Sequence, residues 1–158
     1  MLFTRFHADV HAYALARLGT WEDAQDVAQE TFVAAVGSLR SLRDDHEPVV
    51  QAWLLHICRH KVVDRLRRRG RERRPMDLEV VDARDPAAAA EMRIQADEVR
   101  HAMTGLTEEQ RDILVQRFIL DRSLEDVAAS TRRSVGAVKS LQHRALASLR
   151  RILARPPA

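Results

Sequence analysis

The sequence of 158 residues has little of the material from which β-sheets are built. Aromatic residues make up only 4% of the chain, and there are five glycines and five prolines. A β-sandwich or barrel needs aromatic and β-branched strands separated by many turns, so these shortages argue against both folds. Alanine, leucine, arginine and glutamate dominate instead, and these residues favour helices. We therefore expect an all-α protein.

Cysteine and long apolar runs are also scarce. The single cysteine, Cys58, excludes an internal disulfide framework and a cysteine-rich zinc site, and it suits a reducing compartment. The sequence contains no apolar run of about 18 residues, the length that a transmembrane helix needs. Residues 1–20 lack the basic start and apolar block of a secretion signal. We therefore expect a cytoplasmic protein.

The net charge of +3 is small, but the charges are unevenly distributed. Residues 59–74 carry nine lysines and arginines against two acids, and residues 132–158 carry seven basic residues and no acid. Residues 75–98, which lie between these blocks, carry seven acids and two arginines. Two basic blocks suggest two contacts with a polyanion such as nucleic acid. Solvated helix faces would give the same pattern, so charge alone leaves both interpretations open.

The clearest boundary in the chain is the segment 70–86, which contains two prolines, many charges and little helical periodicity. We interpret it as a flexible linker. It separates residues 1–69 from residues 87–158, and each part is expected to form a small helical domain with its own core.

The first domain shows helical spacing throughout. Helices are predicted over residues 2–18, from the cap Thr20 to about Leu39, and from Pro48 onward. The second helix presents an exposed polar face made of Asp23, Asp26, Gln29 and Glu30.

The second domain has clear helix starts. Thr107 begins a capping box with Gln110, and Ser123 and Ser134 are predicted to cap the two helices that follow. A short helix, a turn of about four residues and a longer basic helix form a helix-turn-helix pattern. Helical hairpins are common, so this pattern alone does not establish DNA binding.

Six segments in order resemble the extracytoplasmic-function sigma factors. In the first domain, DAQDVAQETF (residues 23–32) is similar to their DAEDLVQETF, QAWLLHICR (51–59) to RAWLYRIAR, and DRLRRR (64–69) to DHLRRRR. In the second domain, LTEEQRDILVQRF (106–118) is similar to LPPRQREVLVLRY, SLEDVA (123–128) to SYEEIA, and VGAVKSLQHRALASL (135–149) to EGTVKSRLHRARARL.

The resemblance implies a function in transcription initiation. The two domains would be the σ2 and σ4 modules, which bind core RNA polymerase through its β′ coiled coil and β flap and recognise promoter DNA. The acidic face of the second helix would be the surface for the β′ coiled coil, since carboxylates suit a basic partner. The family also implies a controlling anti-sigma factor. The polymerase would catalyse the reaction, so no enzymatic activity, cofactor or metal is expected of this chain.

In the first domain, the resemblance implies contacts with the −10 element. The loop 43–47 would hold a flipped-out base, which needs polar groups for its edge, and the third helix would follow phosphates. The implied residues are Arg43, Asp44, Asp45, His46, Glu47, Arg59, His60, Lys61, Arg65 and Arg68. His60 stands where the family pattern has an amide.

In the second domain, the last helix would enter the major groove of the −35 element. Gln142 has the groups for bidentate pairing with adenine, and Gly136 allows close approach of the backbone. The implied residues are Arg132, Arg133, Ser134, Gly136, Lys139, Gln142, His143 and Arg144.

Two turns depart from the family pattern. Arg132 and Arg133 replace a usual glycine and apolar residue, and Asp121 and Arg122 replace a common Gly-Leu pair. These changes are expected to weaken the local core, or to add phosphate contacts.

Other function classes fit less well. A helix-turn-helix regulator that binds operator DNA without polymerase would not need the acidic face of the first domain, and a helical adaptor would leave both basic blocks unexplained. The pairs His7/His11 and His56/His60 have the spacing of a helical metal site but lack an HExxH motif and a third ligand. No P-loop or GxSxG motif is present.

Overall fold

The computed structural model describes residues 2–72 and 98–155, and all regular elements in these two ranges are helical. We call the two ranges the first half and the second half. The elements confirm the all-α prediction. The helices are α1 (Leu2–Leu18), α2 (Trp21–Gly37), α3 (Glu47–Glu72), α4 (residues 98–103), α5 (Glu108–Leu114), α6 (Leu124–Thr131) and α7 (Val135–Leu153). A 3-10 turn, Leu39–Ser41, follows α2, and a π-helical turn, Val115–Ile119, extends α5.

The first half is a three-helix bundle in which α1, α2 and α3 all pack against one another. Its core consists of the apolar faces that the helical spacing predicts, with Tyr13, Val27 and Leu54 fully buried. Cys58 is also fully buried in this core. Burial raises the pKa of its thiol to about 12, so the side chain stays neutral.

The second half forms the predicted helix-turn-helix, in which α6 and α7 pack against each other and α7 packs on α5. The three caps predicted in this half are confirmed, whereas the side chain of Thr20, the cap predicted for α2, makes no capping hydrogen bond. The Thr107 side chain accepts a hydrogen bond from the Gln110 backbone N–H and completes a capping box. Ser123 and Ser134 accept from the backbone N–H groups three residues further on. Each cap satisfies a backbone donor that the helix start leaves free.

The two turns of unusual sequence have unusual backbones. Asp121 and Arg132 have positive φ angles of 51° and 55°, the conformation that glycine adopts without strain. Arg122 is buried at its turn. Its Nη1 donates to the side chains of Gln116 and Ser130, whereas its buried Nε has no hydrogen-bond partner among the described residues.

The two halves also pack together. α1 contacts the π-helical turn, α3 contacts α6, and Val115 is buried within the core cluster of the first half. Each half has buried clusters of its own, as expected, but Val115 of the second half joins the cluster of the first. α3 continues to Glu72, so residues 70–72 of the predicted linker 70–86 are helical, while the rest of that segment lies outside the described residues. Within the described ranges, every helix is too short or too polar to cross a membrane.

The left-handed backbone at Arg132 generates the first prediction. An L-residue in this region costs about 1 kcal/mol, so Arg132→Gly should raise the free energy of unfolding by about 0.5–1 kcal/mol in urea denaturation. The matched control is Arg133→Gly. It should lower stability, because Arg133 lacks a positive φ and donates to Glu109 at 2.6 Å. Equal effects at both positions would contradict the assignment of strain to Arg132.

Candidate functional site

The polar face of α2 is open to solvent over most of its length. Asp26, Gln29 and Glu30 are exposed, and they line a shallow groove together with Val33 and Lys61. Val33 and the nearby Val36 are strongly exposed apolar residues. The face therefore combines negative charge with apolar surface, which suits a partner that carries basic and apolar side chains.

Asp23 differs from the other acids of this face. It was expected to be exposed, but its side chain is only 27% exposed and it contacts both Arg65 and Arg69 of α3. The Arg65 guanidinium also lies 3.0 Å from Glu30 and 3.8 Å from Asp26. Asp23 therefore joins α2 to α3, and Arg65 balances the charge of the acidic face.

The loop before α3 is exposed and internally ordered. The His46 backbone N–H donates to the Asp44 carboxylate at 3.0 Å, and the His46 ring contacts the same carboxylate. This pairing raises the pKa of His46 and lowers the pKa of Asp44. Glu47 is the first residue of α3 and accepts from Arg5 at 3.1 Å. Asp44, Asp45 and His46 have ligand atoms within 4.8 Å of one another, but exposed acidic groups commonly occur without a metal.

The basic residues of α3 do not share one face. Lys61 borders the groove on α2, and Arg65 pairs with the acids there. His60 and Arg68 are exposed. Arg59 is half-buried, and its Nε lies 3.8 Å from a carboxylate oxygen of Asp112 in the second half. The predicted phosphate-binding residues therefore divide into solvent-facing groups and groups that already have acidic partners.

The exposed side of α7 brings together several predicted DNA-binding residues. Lys139, His143 and Arg144 line a shallow groove with Ser140. Gly136 lies on the same side, and a Cβ there would meet no atom within 4 Å. Ser140 was missed in the sequence, although its spacing of four from Gly136 and three from His143 places it on this face. Small and basic groups side by side suit a DNA groove.

Three other predicted residues serve the helix-turn-helix itself. Ser134 caps α7, and Arg133 pairs with Glu109. Gln142 is half-buried, and its side-chain oxygen accepts from Arg117 Nε at 3.0 Å. Arg117 was not identified in the sequence, because nothing local signals a contact across 25 residues. While this hydrogen bond holds, the amide of Gln142 offers donors and not the bidentate pair that adenine needs.

A buried polar cluster connects the halves, and it too was missed. The Tyr13 hydroxyl donates to Asp112 Oδ1 and accepts from Arg17 at 3.0 Å. Gln116 donates to the other carboxylate oxygen of Asp112 at 3.0 Å, and Arg17 also contacts Glu108. Burial raises the pKa of Tyr13, and the Asp112 charge raises it further, so the phenol stays protonated.

Comparison with known proteins gives two family matches. Sigma-70 region 2 matches residues 2–72, and Sigma-70, region 4 matches residues 102–151. The chain is 38% identical over 147 residues to the ECF RNA polymerase sigma factor SigD of Mycobacterium tuberculosis (strain ATCC 25618 / H37Rv), covering 87% of this chain and 68% of that protein. It is 27% identical to SigX of Bacillus subtilis (strain 168), covering 96% of this chain and 81% of SigX.

Solved structures give the same result for the fold. CnrH in complex with the cytosolic domain of CnrY has a TM-score of 0.70 at 27% identity, covering 96% of this chain and 84% of CnrH. The sigma factor RpoE, in complex with the anti-sigma factor NepR from Bartonella quintana, has a TM-score of 0.70 at 22% identity, covering 98% of this chain and 96% of RpoE.

The unequal exposure of Asp23 and Asp26 generates the second prediction. Asp23→Lys places a third cation between Arg65 and Arg69, so it should lower the free energy of unfolding by about 1–3 kcal/mol. Asp26→Lys is the matched control, because its side chain is 53% exposed, and it should change stability by less than about 0.5 kcal/mol. Urea denaturation of both variants checks this. Equal losses would contradict the structural role of Asp23.

Proposed function

The chain belongs to the ECF RNA polymerase sigma factors, and on this basis we propose which of its residues carry each role in promoter-directed transcription initiation. The first half binds core polymerase and the −10 element, and the second half binds the −35 element. The observation that carries this proposal is the presence of both sigma regions in one chain, each with an exposed polar face. The polymerase catalyses RNA synthesis in the cytoplasm. The sigma factor selects the promoter at which transcription starts.

Polymerase docking is assigned to Asp26, Gln29 and Glu30, with Asp23 holding the face in place. Their exposure and their negative charge support contact with a basic partner helix, and the neighbouring Val33 adds apolar area. The partner surface is the β′ coiled coil, and the second half contacts the β flap.

Promoter recognition is assigned to two surfaces. The loop 43–46 receives a flipped −10 base, because its carboxylates and imidazole supply hydrogen-bond partners for a base edge. His60 and Arg68 contact the adjacent strand, and Arg59 joins them once it leaves Asp112. The exposed side of α7 enters the −35 major groove, with Lys139 and His143 facing bases and Arg144 near phosphates.

Regulation by an anti-sigma factor is part of the proposal. RpoE, which shares this fold and aligns with 98% of this chain, was solved in complex with an anti-sigma factor. We infer that a protein of this class binds both halves of the present chain.

The direct test of function is co-purification with core polymerase followed by run-off transcription. A sigma factor binds promoter DNA strongly only with core enzyme, whereas a helix-turn-helix regulator binds its operator alone. Run-off product that depends on both the chain and core polymerase supports the proposal. Strong specific DNA binding without core enzyme, together with no transcript, would contradict it.

The third prediction concerns docking. Asp26→Lys combined with Glu30→Lys should weaken binding to core polymerase at least tenfold, because two attractive charges become repulsive. The matched control, Glu98→Lys, changes the same type of exposed charge in the second half and should leave the affinity unchanged. Pull-down titrations measure both, with circular dichroism to verify helicity. Wild-type affinity of the double variant would exclude this face as the docking surface.

The fourth prediction separates base recognition from phosphate contact on α7. Alanine at Lys139 and His143 together should change the ranking of −35 variants, since each lost base contact costs about 1–3 kcal/mol. Arg151→Ala lies further along the helix and should weaken all promoters alike, lowering the salt slope by about one. Transcription from a −35 library with each holoenzyme measures the ranking. An unchanged ranking for the double variant would contradict the placement of α7 in the −35 major groove.

A further inference from the structure

The loop between the 3-10 turn and α3 is held at both ends by side chains of the bundle. Where the loop begins, the Trp53 indole N–H donates to Ser41 Oγ at 3.2 Å. Where it ends, Arg5 of α1 donates to Glu47, the first residue of α3. We call these two contacts the loop anchors. We propose that Arg5 and Trp53 are positioning residues that fix the loop in the shape in which it receives the flipped −10 base.

The Arg5 anchor fixes an orientation more than it stabilises the bundle. Its Nε donates to Glu47 Oε1 at 3.1 Å, and its Nη2 donates to the other carboxylate oxygen. Two parallel hydrogen bonds hold the plane of the carboxylate as well as its position. The two side chains are 63% and 56% exposed, so the ion pair contributes little to the free energy of unfolding. Loss of the pair should therefore release the end of the loop and leave the bundle folded.

This pairing changes the role of Glu47. The resemblance to sigma factors includes Glu47 among the residues that contact the −10 element, yet both of its carboxylate oxygens accept from Arg5. A base would have to displace a charged donor, which is a stronger partner than a neutral one. Glu47 therefore holds the loop, and the residues before it contact the base.

The Trp53 anchor fixes the other end of the loop. Ser41 Oγ accepts from the indole and donates to the Ser38 carbonyl at 2.7 Å, so its hydroxyl has a defined direction. The next residue, Leu42, packs against the core of the bundle. Trp53 is itself half-buried against that core, which limits its movement. The chain therefore leaves the 3-10 turn along a fixed path.

The side chains between the loop anchors lie close together and face solvent. Asp44, Asp45 and His46 are exposed, and one polar side-chain atom of each lies within 4.8 Å of the others. Asp44 binds Nδ1 of His46, which leaves Nε2 as the ring nitrogen for a base. This hydrogen bond raises the pKa of His46, which favours the ring form in which both nitrogens donate. The loop thus offers a donor beside the acceptor oxygens of Asp45.

This combination of groups favours a base that carries an amino group. A carboxylate only accepts hydrogen bonds, so it needs donors on the base. Adenine, cytosine and guanine have exocyclic amino groups, whereas thymine has only a ring N–H between two carbonyl oxygens that repel a carboxylate. We expect discrimination against thymine at the flipped position, and it should require the loop anchors to hold donor and acceptor in place. This expectation rests on the −10 function proposed for the loop, whereas the loop anchors are features of the fold.

Exchange of the two charges tests the Arg5 anchor in the holoenzyme. Transcription from a promoter library varied at each −10 position measures the base preference. In Arg5→Glu and in Glu47→Arg, the preference for an amino-bearing base over thymine should fall by about tenfold, the effect of one lost base contact. The double variant Arg5→Glu/Glu47→Arg rebuilds the ion pair with the opposite polarity, so it should recover most of that preference.

The controls separate positioning from changes in charge or folding. Arg40→Glu is matched to Arg5→Glu, because Arg40 is an exposed arginine on the 3-10 turn at the other end of the same loop, and it should leave the base preference unchanged. Trp53→Phe keeps an aromatic ring against the core and removes the indole N–H, so the preference should fall as in Arg5→Glu. The −35 ranking and the affinity for core polymerase should stay at wild-type values in every variant.

Hydrogen exchange in the free chain tests the Arg5 anchor without promoter DNA. The His46 backbone N–H donates to Asp44 at 3.0 Å, so its exchange rate reports the shape of the loop. The rate should rise severalfold in Arg5→Glu and return toward the wild-type rate in the double variant. Circular dichroism verifies that each variant keeps its helices.

The outcomes separate the loop anchors from the proposed function. Wild-type exchange at His46 in a helical Arg5→Glu variant would overturn the Arg5 anchor. Faster exchange with an unchanged base preference would overturn its role in base recognition, and so would a double variant as defective as Glu47→Arg, because Glu47 would then bind the base itself. Faster exchange while no form of the chain directs transcription would support the anchor and contradict the proposed function.

Discussion

The burial of one carboxylate, that of Asp112, is the constraint on which the arrangement of the chain depends. A charge removed from water needs partners, and Tyr13, Gln116 and the nearby Arg17 and Arg59 provide them from both halves. These contacts orient α5 on the bundle, and α6 and α7 pack on one another and on α5 and its π-helical turn. The positions of the groups assigned to promoter DNA thus depend on a single side chain that would not itself contact DNA.

Charge pairing within the protein also determines which basic residues face a partner. The basic block of α3 appeared in the sequence as one phosphate-binding surface. In the structure, Arg65 and Arg69 are bound by Asp23, whereas His60 and Arg68 remain exposed. The acidic face of α2 consequently has less free charge than a count of its carboxylates suggests. Its binding strength depends on Asp26 and Glu30, which keep their access to solvent.

Local features were predictable from the sequence, and contacts between distant residues were not. The caps Thr107, Ser123 and Ser134 were identified because a capping hydrogen bond joins residues three apart. The buried pair of Tyr13 and Asp112 joins residues 99 apart, so no local pattern reveals it. The same reason explains Asp23: its position on the helix predicted exposure, but the arginines that cover it come from another helix.

The backbone of Arg132 has a consequence for how such proteins change under selection. Glycine would fit this left-handed position better, yet the chain places there an exposed guanidinium whose charge acts on α3. Selection for thermal tolerance alone would favour glycine at this turn and would remove that charge. Retention of arginine in descendants would then indicate selection on interactions of the turn, and replacement by glycine would indicate selection for stability alone.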